Sequence, residues 1–240
     1  MVTRVEAEHA TVFQDLLLCA EGLEAYLAEL AVLAVSIAGA AEVRGCSIVI
    51  ERPRRQRVAG DSDARAGRMA EPVFAAGGPG AEAITEGTSV VVTDAWTETR
   101  GGAFPGTAAE EGLRSMAAVP FALEDGARGV LCFYSPRQHL FQPGMLRTAE
   151  RIAAEASGTL CLALRLDGQM HRARNLQAAL ESRTVVDLAV GIIMGQNGCS
   201  QQAAVEILRS VSNTRNVKIR SVAAGVVAAV SERVSTHFDE

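Results

Sequence analysis

The sequence predicts an α+β protein in two parts. The first is an antiparallel sheet with flanking helices, and a long helix joins it to the second, an all-α bundle of three helices. Three observations support this. Apolar residues recur every three or four positions near both ends of the chain, short β-rich runs separated by turn residues fill the middle, and glycine and serine signals divide the last quarter. The expected domains are 1–165, including an N-terminal helix, and 166–235, including the connecting helix.

The first expected element is an amphipathic helix over residues 9–38. Its apolar residues are spaced mostly by three and four, which places them on one face of the helix. Gly22 interrupts this pattern and predicts a weak point or a break, because glycine disfavours a helix interior. The apolar face comprises Phe13, Leu16, Leu17, Leu23, Tyr26, Leu27, Leu30, Leu33 and Ile37.

A β-hairpin is expected next. Residues 46–50 form a short β-rich run, residues 52–56 form a polar turn rich in arginine, and residues 57–59 can return as a second strand. The following segment, 61–89, has no clear period and contains a glycine–proline stretch at 77–80. No helix or strand is predicted within it.

Three more strands complete the expected sheet, at 89–93, 114–122 and 128–134. Glu124–Gly126 is a favourable hairpin turn between the last two. Pro120 lacks a backbone N–H group, which favours an edge strand or a bulge. The segment between the first two of these strands is expected to be a loop. Because helices precede and follow the strands, we expect an antiparallel sheet with helices packed on one side.

A helix is expected from Pro143 to about Arg165, and the apolar spacing continues beyond it. Gly168 is the weak point of this continuation. The extended apolar face predicts a signalling helix or a short coiled coil with a second copy of the chain. Its residues are Leu162, Leu166, Ala173, Leu176 and Leu180.

Three helices are expected in the last quarter. Gly195–Gly198 ends the first, Ser200 is an N-cap for the second, and residues 212–216 form a turn before the third. The second and third helices each carry one apolar face, formed by Ala203, Ala204, Ile207, Leu208 and Val211, and by Ile219, Val222, Ala223, Val226, Val227 and Val230. The small residues Ala189, Gly191 and Ala203 are interpreted as packing contacts between helices, and Ile193 and Met194 as core.

Composition and charge narrow the classes of function. The net charge of −5 argues against nucleic-acid binding over the whole surface, yet residues 171–230 contain seven basic and three acidic residues. Five scattered cysteines and four distant histidines predict no disulfide framework, metal site or cofactor. The chain lacks both an apolar run of roughly 18 residues and a secretion signal, so a soluble cytoplasmic protein is expected.

One set of residues spans the three C-terminal helices: Leu176, Gln177, Ala179, Leu180, Ser182, Arg183, Val186, Ala189, Gly191, Ile192, Met194, Ala203, Leu208, Ser212, Asn216, Lys218, Arg220, Val222 and Ala223. In these residues the last quarter resembles the ANTAR family, a three-helix RNA-binding module of bacterial antitermination regulators. Val190 departs from the pattern, because ANTAR sequences often have a lysine at that position.

A second set lies in the middle of the chain: Gly78, Pro79, Ala83, Ile84, Val90, Val91, Val92, Asp94, Phe104, Gly112, Leu113, Arg114, Ser115, Val119, Pro120, Gly129, Val130, Leu131 and Phe141. In these residues the middle resembles the GAF domain, a small sensor fold. A GAF domain followed by an ANTAR module is a known arrangement. Gly80 stands where GAF domains of this subgroup often have a cysteine.

The two resemblances imply a signal-responsive regulator. Its GAF domain would sense a small molecule or a protein, and its ANTAR modules, paired in a homodimer, would bind stem-loops of nascent transcripts and prevent termination. RNA contact needs cations for phosphate and polar groups for unpaired bases. The candidate residues are Arg183, Arg209, Asn213, Arg215, Asn216, Lys218 and Arg220.

Several alternatives stay open at this point. The charged residues are equally consistent with a solvated surface, and the helical tail with protein binding or dimerisation alone. Trp96, Phe104, Phe121 and Phe133 are candidates for a ligand pocket, with plain core packing as the competing interpretation. A GAF-fold enzyme such as a sulfoxide reductase would need cysteines positioned around a pocket. The sequence shows neither such a cluster nor a nucleophile with a neighbouring base, so no catalytic residues are expected.

Overall fold

The computed structural model describes residues 2–53 and 56–235, with side chains described for 11–53 and 56–230. The chain begins with helix α1 (Val2–Cys19) and helix α2 (Leu23–Ala38). They are separated at Gly22, whose φ of 110° lies in the region that favours glycine. The break indicated by the sequence is therefore present, and it divides the predicted helix in two.

Five strands form one antiparallel sheet in the order β2-β1-β5-β4-β3. The strands are β1 (Gly45–Glu51), β2 (Val58–Asp61), β3 (Val90–Val92), β4 (Ser115–Pro120) and β5 (Arg128–Ser135). All five overlap the runs predicted from sequence. Residues 54 and 55 of the predicted polar turn lie outside the described residues.

The β4–β5 hairpin has the turn that the sequence predicts. Asp125 and Gly126 have positive φ angles of 57° and 71°, and the Ala127 amide donates to the Glu124 carbonyl at 3.0 Å. Two positive φ angles are typical of tight turns whose twist matches that of the flanking strands. However, β4 is not an edge strand, because it lies between β3 and β5. Pro120 is its last residue and lies beyond the pairing with β3, so its missing amide leaves the ladder to β3 intact.

Three short helices lie where the sequence predicts none: α3 (Ala64–Phe74), α4 (Pro79–Glu86) and α5 (Phe104–Glu110). The carboxylate of Asp63 caps α3 by accepting from the amides of Arg65 and Ala66 at 2.8 and 2.9 Å. Prolines in the first turns of α4 and α5 need no amide partner there. The sequence does carry a signal for α3, because Ala66, Met69 and Val73 lie on one buried face at helical spacing. Helices α4 and α5 have eight and seven residues, which is too short for a period to be visible.

Helices cover both faces of the sheet, which corrects the expectation of helices on one side. One face packs Ile48, Leu131 and Phe133 against α2 and the first part of a long helix, α6 (Pro143–Asn197). The other packs residues such as Val49 and Val130 against α3, α4 and α5. Because both faces are buried, β1 and β5 are buried almost throughout instead of alternating between core and solvent.

Helix α2 lies directly on the edge strand β2. A Cβ added at Gly60 would stand 2.3 Å from the backbone nitrogen of Ala28, so only glycine allows this approach. This contact fixes α2 against the sheet.

Helix α6 is 55 residues long and continues past Arg165, as predicted. The chain divides into two compact units, Met1–Asp167 and Gly168–Glu240, and α6 belongs partly to each. We call these the sensor unit and the C-terminal unit. The domain boundary predicted between residues 165 and 166 stays a prediction.

The C-terminal unit contains the second part of α6 together with α7 (Gln201–Arg215) and α8 (Ile219–Ser235). Ser200 caps α7 as predicted, with its hydroxyl accepting from the Ala203 amide at 3.3 Å. The predicted turn at 212–216 is mostly helical, because α7 continues to Arg215 and only Asn216, with a φ of 50°, reverses the chain.

The core of the C-terminal unit is small. It buries Ala189, Val190, Ile193, Ala204, Leu208 and Ala223. Gly191 and Ala203, which the sequence interpretation assigns to packing, are exposed, and Ile207 is 42% exposed. On α8 only Ala223 of the predicted apolar face is buried, and the other five residues are half-buried. Three short helical segments with mainly alanine and valine side chains cannot enclose more than this.

Within the described residues no helix is long and apolar enough to cross a membrane.

Candidate functional site

The C-terminal unit exposes every side chain that the sequence selects for RNA contact. Three lie on the α7–α8 turn or the residues beside it, and the others lie on α6, on α7 and at the start of α8. They are Arg183, Arg209, Asn213, Arg215, Asn216, Lys218 and Arg220. All seven are therefore available to a partner in solution.

The α7–α8 turn is held by its backbone and by one serine. The Ser212 hydroxyl donates to the Val217 carbonyl at 2.6 Å, and the Val217 amide donates to the Ser212 carbonyl at 3.1 Å. Asn216 caps α7 through its left-handed backbone, with its amide directed to the Asn213 carbonyl. The side chains of Arg215 and Lys218 take no part in these bonds, so they project from a turn of fixed shape.

The basic residues fall into two electrostatic classes. Arg183 lies 3.7 Å from Asp187, Arg209 lies 2.9 Å from Glu206, and Arg220 lies 3.8 Å from Glu181 of α6. Arg215 and Lys218 form no ion pair with any residue that the structure describes. These two cations have the most uncompensated charge for an anionic partner.

Val190 belongs to the interior of the C-terminal unit. It is 5% exposed and packs with Ile193 and Leu208 in the same small core. The position where related sequences often have a lysine is thus occupied here by a core side chain. An anionic partner must find its cations elsewhere on this unit.

The four aromatic candidates for a sensor pocket do not come together. Phe121 and Phe133 lie in the cluster beneath α2 and α6, whereas Phe104 lies in the cluster beneath α3, α4 and α5. Trp96 is 48% exposed, and the Arg114 guanidinium stacks over its ring at 3.9 Å. A single pocket lined by all four is not formed, because the sheet separates them.

Buried polar groups mark the sheet face beneath α3, α4 and α5. The hydroxyls of Ser47 and Tyr134 are 2.6 Å apart, and Asp61 stands opposite Ser47 in the β1–β2 register. The Oδ1 atom of Asp61 is buried without a hydrogen-bond partner among the described residues. Burial raises the pKa of Tyr134, and burial and the charge of Asp63 raise the pKa of Asp61. These polar groups therefore lie beside the apolar cluster beneath α3, α4 and α5.

Asp94 organises the loop after β3. Its carboxylate accepts two bonds from the Arg114 guanidinium, at 2.9 and 2.8 Å, and one each from the Gln138 side chain and the Trp96 amide. The bond from Arg114 is the main reason that the pKa of Asp94 is lowered to about 2. The carboxylate is therefore a fixed structural anion and not a proton carrier at neutral pH.

The two cysteines in the sheet are not placed for catalysis. Cys46 and Cys132 are fully buried, and burial raises the pKa of both thiols. A neutral thiol is a poor nucleophile. Cys19, Cys161 and Cys199 are more accessible and lie in separate segments. Within the described residues, no group of three or more His, Cys, Asp or Glu side chains is arranged to hold a metal ion.

Among the clefts of the sensor unit, two are lined by residues that the structure describes. One, of about 610 Å³, is formed by the β1–β2 and β4–β5 turns and is lined by Glu51, Arg52, Pro53, Arg57, Gly126 and Arg128. The other, of about 390 Å³, lies beside the end of β4 and is lined by Gly87, Thr88, Ser89, Val119, Pro120, Ala122, Glu150, Ala154 and Ser157. Sequence reasoning treats the first region only as a polar turn. The signal available there is the density of arginine, with four in residues 52–57.

Comparison with protein families gives two matches along the chain. The GAF domain family model matches residues 21–160, and the ANTAR domain family model matches residues 174–227. The first covers more than half of the chain. No curated protein matches the chain in a sequence comparison.

Solved structures with similar folds span about two thirds of the chain. They include the N-acylhomoserine lactone dependent LuxR family transcription factor CepR2 from Burkholderia cenocepacia, at 19% identity and a TM-score of 0.50, covering 68% of this chain and 98% of that one. They also include free methionine-R-sulfoxide reductase from Neisseria meningitidis, at 17% identity and a TM-score of 0.45, covering 71% and 94%. A third is the GAF domain of an Acinetobacter phosphoenolpyruvate-protein phosphotransferase, at 16% identity and a TM-score of 0.45, covering 68% and 98%.

GAF and ANTAR domains are regulatory modules, the first associated with sensing signals and the second with RNA-binding antitermination regulators. The five-stranded antiparallel sheet covered by helices agrees with the first match, and the helices after residue 174 agree with the second. The chain therefore belongs to the GAF domain family and carries a C-terminal ANTAR domain.

Proposed function

We propose that this chain is a signal-responsive, RNA-binding regulator that acts in the cytoplasm. In this proposal a sensor domain over residues 1–165 controls an RNA-binding domain over residues 166–235, which binds stem-loops of nascent transcripts and prevents termination. The observation that carries the proposal is the exposed turn between α7 and α8. There Arg215 and Lys218 flank Asn216 inside the ANTAR match, and neither has a carboxylate partner among the described residues.

The chemistry of this turn supports recognition of a folded RNA loop. Arginine and lysine neutralise phosphates, and asparagine side chains can donate to and accept from the edges of unpaired bases. Asn213 and Asn216 lie between and beside the two cations and are exposed. Arg220 is close by in sequence and is held by Glu181 at the longer distance of 3.8 Å, which phosphate can replace. Arg183 on α6 and Arg209 on α7 are further exposed cations of the same unit.

We propose that two copies of the chain act together through α6. Five large apolar side chains on one face of this helix are 45–63% exposed: Leu162, Leu166, Met170, Leu176 and Leu180. They are spaced by four or six residues, and Ala173 lies midway in the gap of six, which keeps them within one stripe of the helix. A second copy would bury this stripe and provide two ANTAR modules for paired stem-loops.

The sensor half supplies the control, through a small molecule or a protein. The first part of α6 belongs to the sensor unit and packs on the sheet. The same helix continues into the ANTAR match without interruption. A change in the packing of the sheet is therefore passed to a helix that the RNA-binding module shares. The buried thiols of Cys46 and Cys132 favour this regulatory role over a cysteine-dependent reaction, so we propose that the chain is not an enzyme.

Filter binding of full-length protein to stem-loop RNA at two salt concentrations tests the proposal. Wild type should bind, and binding should weaken as salt rises. Changing Arg215, Lys218 and Arg220 together to alanine should weaken binding by about tenfold or more at low salt. The matched control changes Arg44, Arg137 and Arg147 to alanine, which removes the same charge from exposed positions of the sensor unit. If the first variant binds like wild type, the proposed surface is wrong.

A second candidate function is a protein-interaction or dimerisation regulator that does not bind RNA. The observation that favours it is the exposed apolar surface of the C-terminal unit, where Leu188 is 54% and Ile207 is 42% exposed. The same experiment separates the two candidates, because this one predicts no salt-dependent RNA binding by wild type.

A further inference from the structure

The larger cleft of the sensor unit lies where its two hairpin turns meet. A Cβ added at Gly126, in the β4–β5 turn, would stand 3.4 Å from the Cγ atom of Pro53 in the β1–β2 turn, so the turns are in contact. The volume of about 610 Å³ is in the range of small-molecule sites. Of the residues that the structure describes, three arginines and one glutamate line it, which gives it an excess of positive charge.

Two of the three arginines share one carboxylate. Arg57 donates to Glu51 Oε1 from Nη2 at 2.6 Å and from Nε at 3.1 Å, and Arg128 Nη2 lies 3.9 Å from Glu51 Oε2. The guanidinium of Arg128 is thus only loosely held. Both side chains are largely exposed, so they can turn towards a bound anion.

The third arginine is bound differently. The Arg52 side chain is 13% exposed, and its Nη1 atom donates to Asp167 Oδ2 at 2.5 Å. Its Nε atom is buried without a hydrogen-bond partner among the described residues. A buried N–H without an acceptor is unfavourable, so the guanidinium would gain from a position that satisfies more of its donors.

Asp167 connects this cleft to the long helix. It lies in α6 and is the last residue of the sensor unit. Two residues earlier, Arg165 forms an ion pair with Glu124 of the β4–β5 turn. The two turns that form the cleft therefore also hold α6 at the point where it leaves the sensor unit.

We propose that this cleft binds a small molecule that carries phosphate groups, and that its oxygens draw Arg52 away from Asp167 and so release one tie on α6. Guanidinium groups form paired hydrogen bonds with phosphate, and a tetrahedral phosphate can serve several of them at once. The role of the cleft as the input of the sensor rests on the proposed function. The binding of phosphate does not, and it is measured without RNA.

Isothermal titration calorimetry of the full chain with pyrophosphate, inorganic phosphate and citrate tests the binding. Wild type should bind pyrophosphate more tightly than citrate, and Arg57→Ala with Arg128→Ala should weaken pyrophosphate binding by about tenfold or more. The matched control is Arg65→Ala with Arg68→Ala, a second pair of arginines that share one carboxylate, Glu111, away from the cleft. Absence of pyrophosphate binding by wild type, equal weakening in the control, or citrate binding as tight as pyrophosphate overturns the proposal.

The competition for Arg52 has its own test. Asp167→Asn removes a charge that competes with the ligand, so this variant should bind pyrophosphate several-fold more tightly than wild type. Hydrogen exchange at residues 161–167 should rise when pyrophosphate is added to wild type. A purely structural role of the ion pair would leave the affinity of the variant unchanged or lower it, and either result contradicts the proposed release.

Discussion

The two units of this chain differ in how completely they pair their charges and bury their apolar side chains. In the sensor unit, Arg100 bonds to Glu82 and Glu98, and Arg114 bonds twice to Asp94. Two clusters there bury large side chains completely. In the C-terminal unit, the buried core holds no side chain larger than leucine or isoleucine, and cations and leucines remain exposed.

This difference shows which unit is complete by itself. Many arginines of the sensor unit pair with carboxylates of the same unit, and its two clusters enclose large side chains. The C-terminal unit leaves both apolar and cationic groups open to solvent, and a folded module of this kind gains stability from what it binds. We therefore expect changes in the sensor unit to act on folding, and changes in the C-terminal unit to act mainly on association.

The largest effect should come from the apolar stripe of α6. Leu176→Glu with Leu180→Glu should raise the dissociation constant of the dimer by about a thousandfold or more, because each copy would lose two buried leucines and gain two charges at the interface. Analytical ultracentrifugation measures this. Asn175→Glu with Ala178→Glu adds the same charges to the opposite side of the helix and should leave the dimer intact. A dimer that survives the leucine changes would show that α6 is not the interface.

In the sensor unit, Gly60→Ala should lower the free energy of unfolding by about 3 kcal/mol or more, because the new Cβ would meet the backbone of α2. Urea unfolding followed by circular dichroism measures the free energy of unfolding. Gly106→Ala is the control, since a Cβ there meets no atom within 4 Å. Equal stability of the two variants would mean that α2 can move from β2 without cost.

The salt dependence of RNA binding should distinguish paired from unpaired cations. Arg215→Ala with Lys218→Ala should reduce the slope of log affinity against log salt by about 0.7 for each phosphate that is no longer neutralised. Arg183→Ala with Arg209→Ala should reduce it less, because these side chains already contact Asp187 and Glu206. The reverse order would place the phosphate-binding cations on α6 and α7 instead of on the turn.

The smallest effect concerns Asp61. Its folded pKa is raised above the ordinary value of 3.8, so its charged form is disfavoured in the fold. The contribution of Asp61 to stability should then fall as pH rises from 3.8 through the folded pKa, and Asp61→Asn should be stabilising at neutral pH but not at pH 3.

Asp94 is the control, because its contribution to stability should change with pH in the opposite direction. Its folded pKa is lowered to about 2, so its contribution is present above 3.8 and is lost as pH falls through about 2. Asp94→Asn should therefore be destabilising at neutral pH. Thermal unfolding between pH 3 and 7 measures both variants, and the same sign for the two would contradict the difference in their surroundings.

Local sequence signals predicted the elements that depend on local chemistry. The β4–β5 hairpin follows from Glu124–Gly126 between two β-rich runs, and the start of α7 follows from Ser200. Helix α3 also had local signals, an N-cap at Asp63 and one apolar face, and the prediction missed them. Helices α4 and α5 are too short to show a period, so they could not be identified before the sheet that they cover was known.

The candidate sites also differ in how much of them the sequence reveals. Arg215 and Lys218 are recognisable from sequence because the turn places them side by side. The ion pair between Arg220 and Glu181 joins residues far apart in the chain, and the arginine cleft joins two turns that are still farther apart in sequence. Only the three-dimensional fold brings such groups together.

Because Cys46 and Cys132 are buried, the rates at which their thiols are alkylated can report local opening of the sensor unit. The two thiols belong to different clusters on opposite faces of the sheet, so each is shielded by a different set of helices. An alkylating reagent can reach either one only while its own face is open. The two labelling rates would thus measure the opening of each face of the sheet separately, with cysteines that the natural sequence already contains.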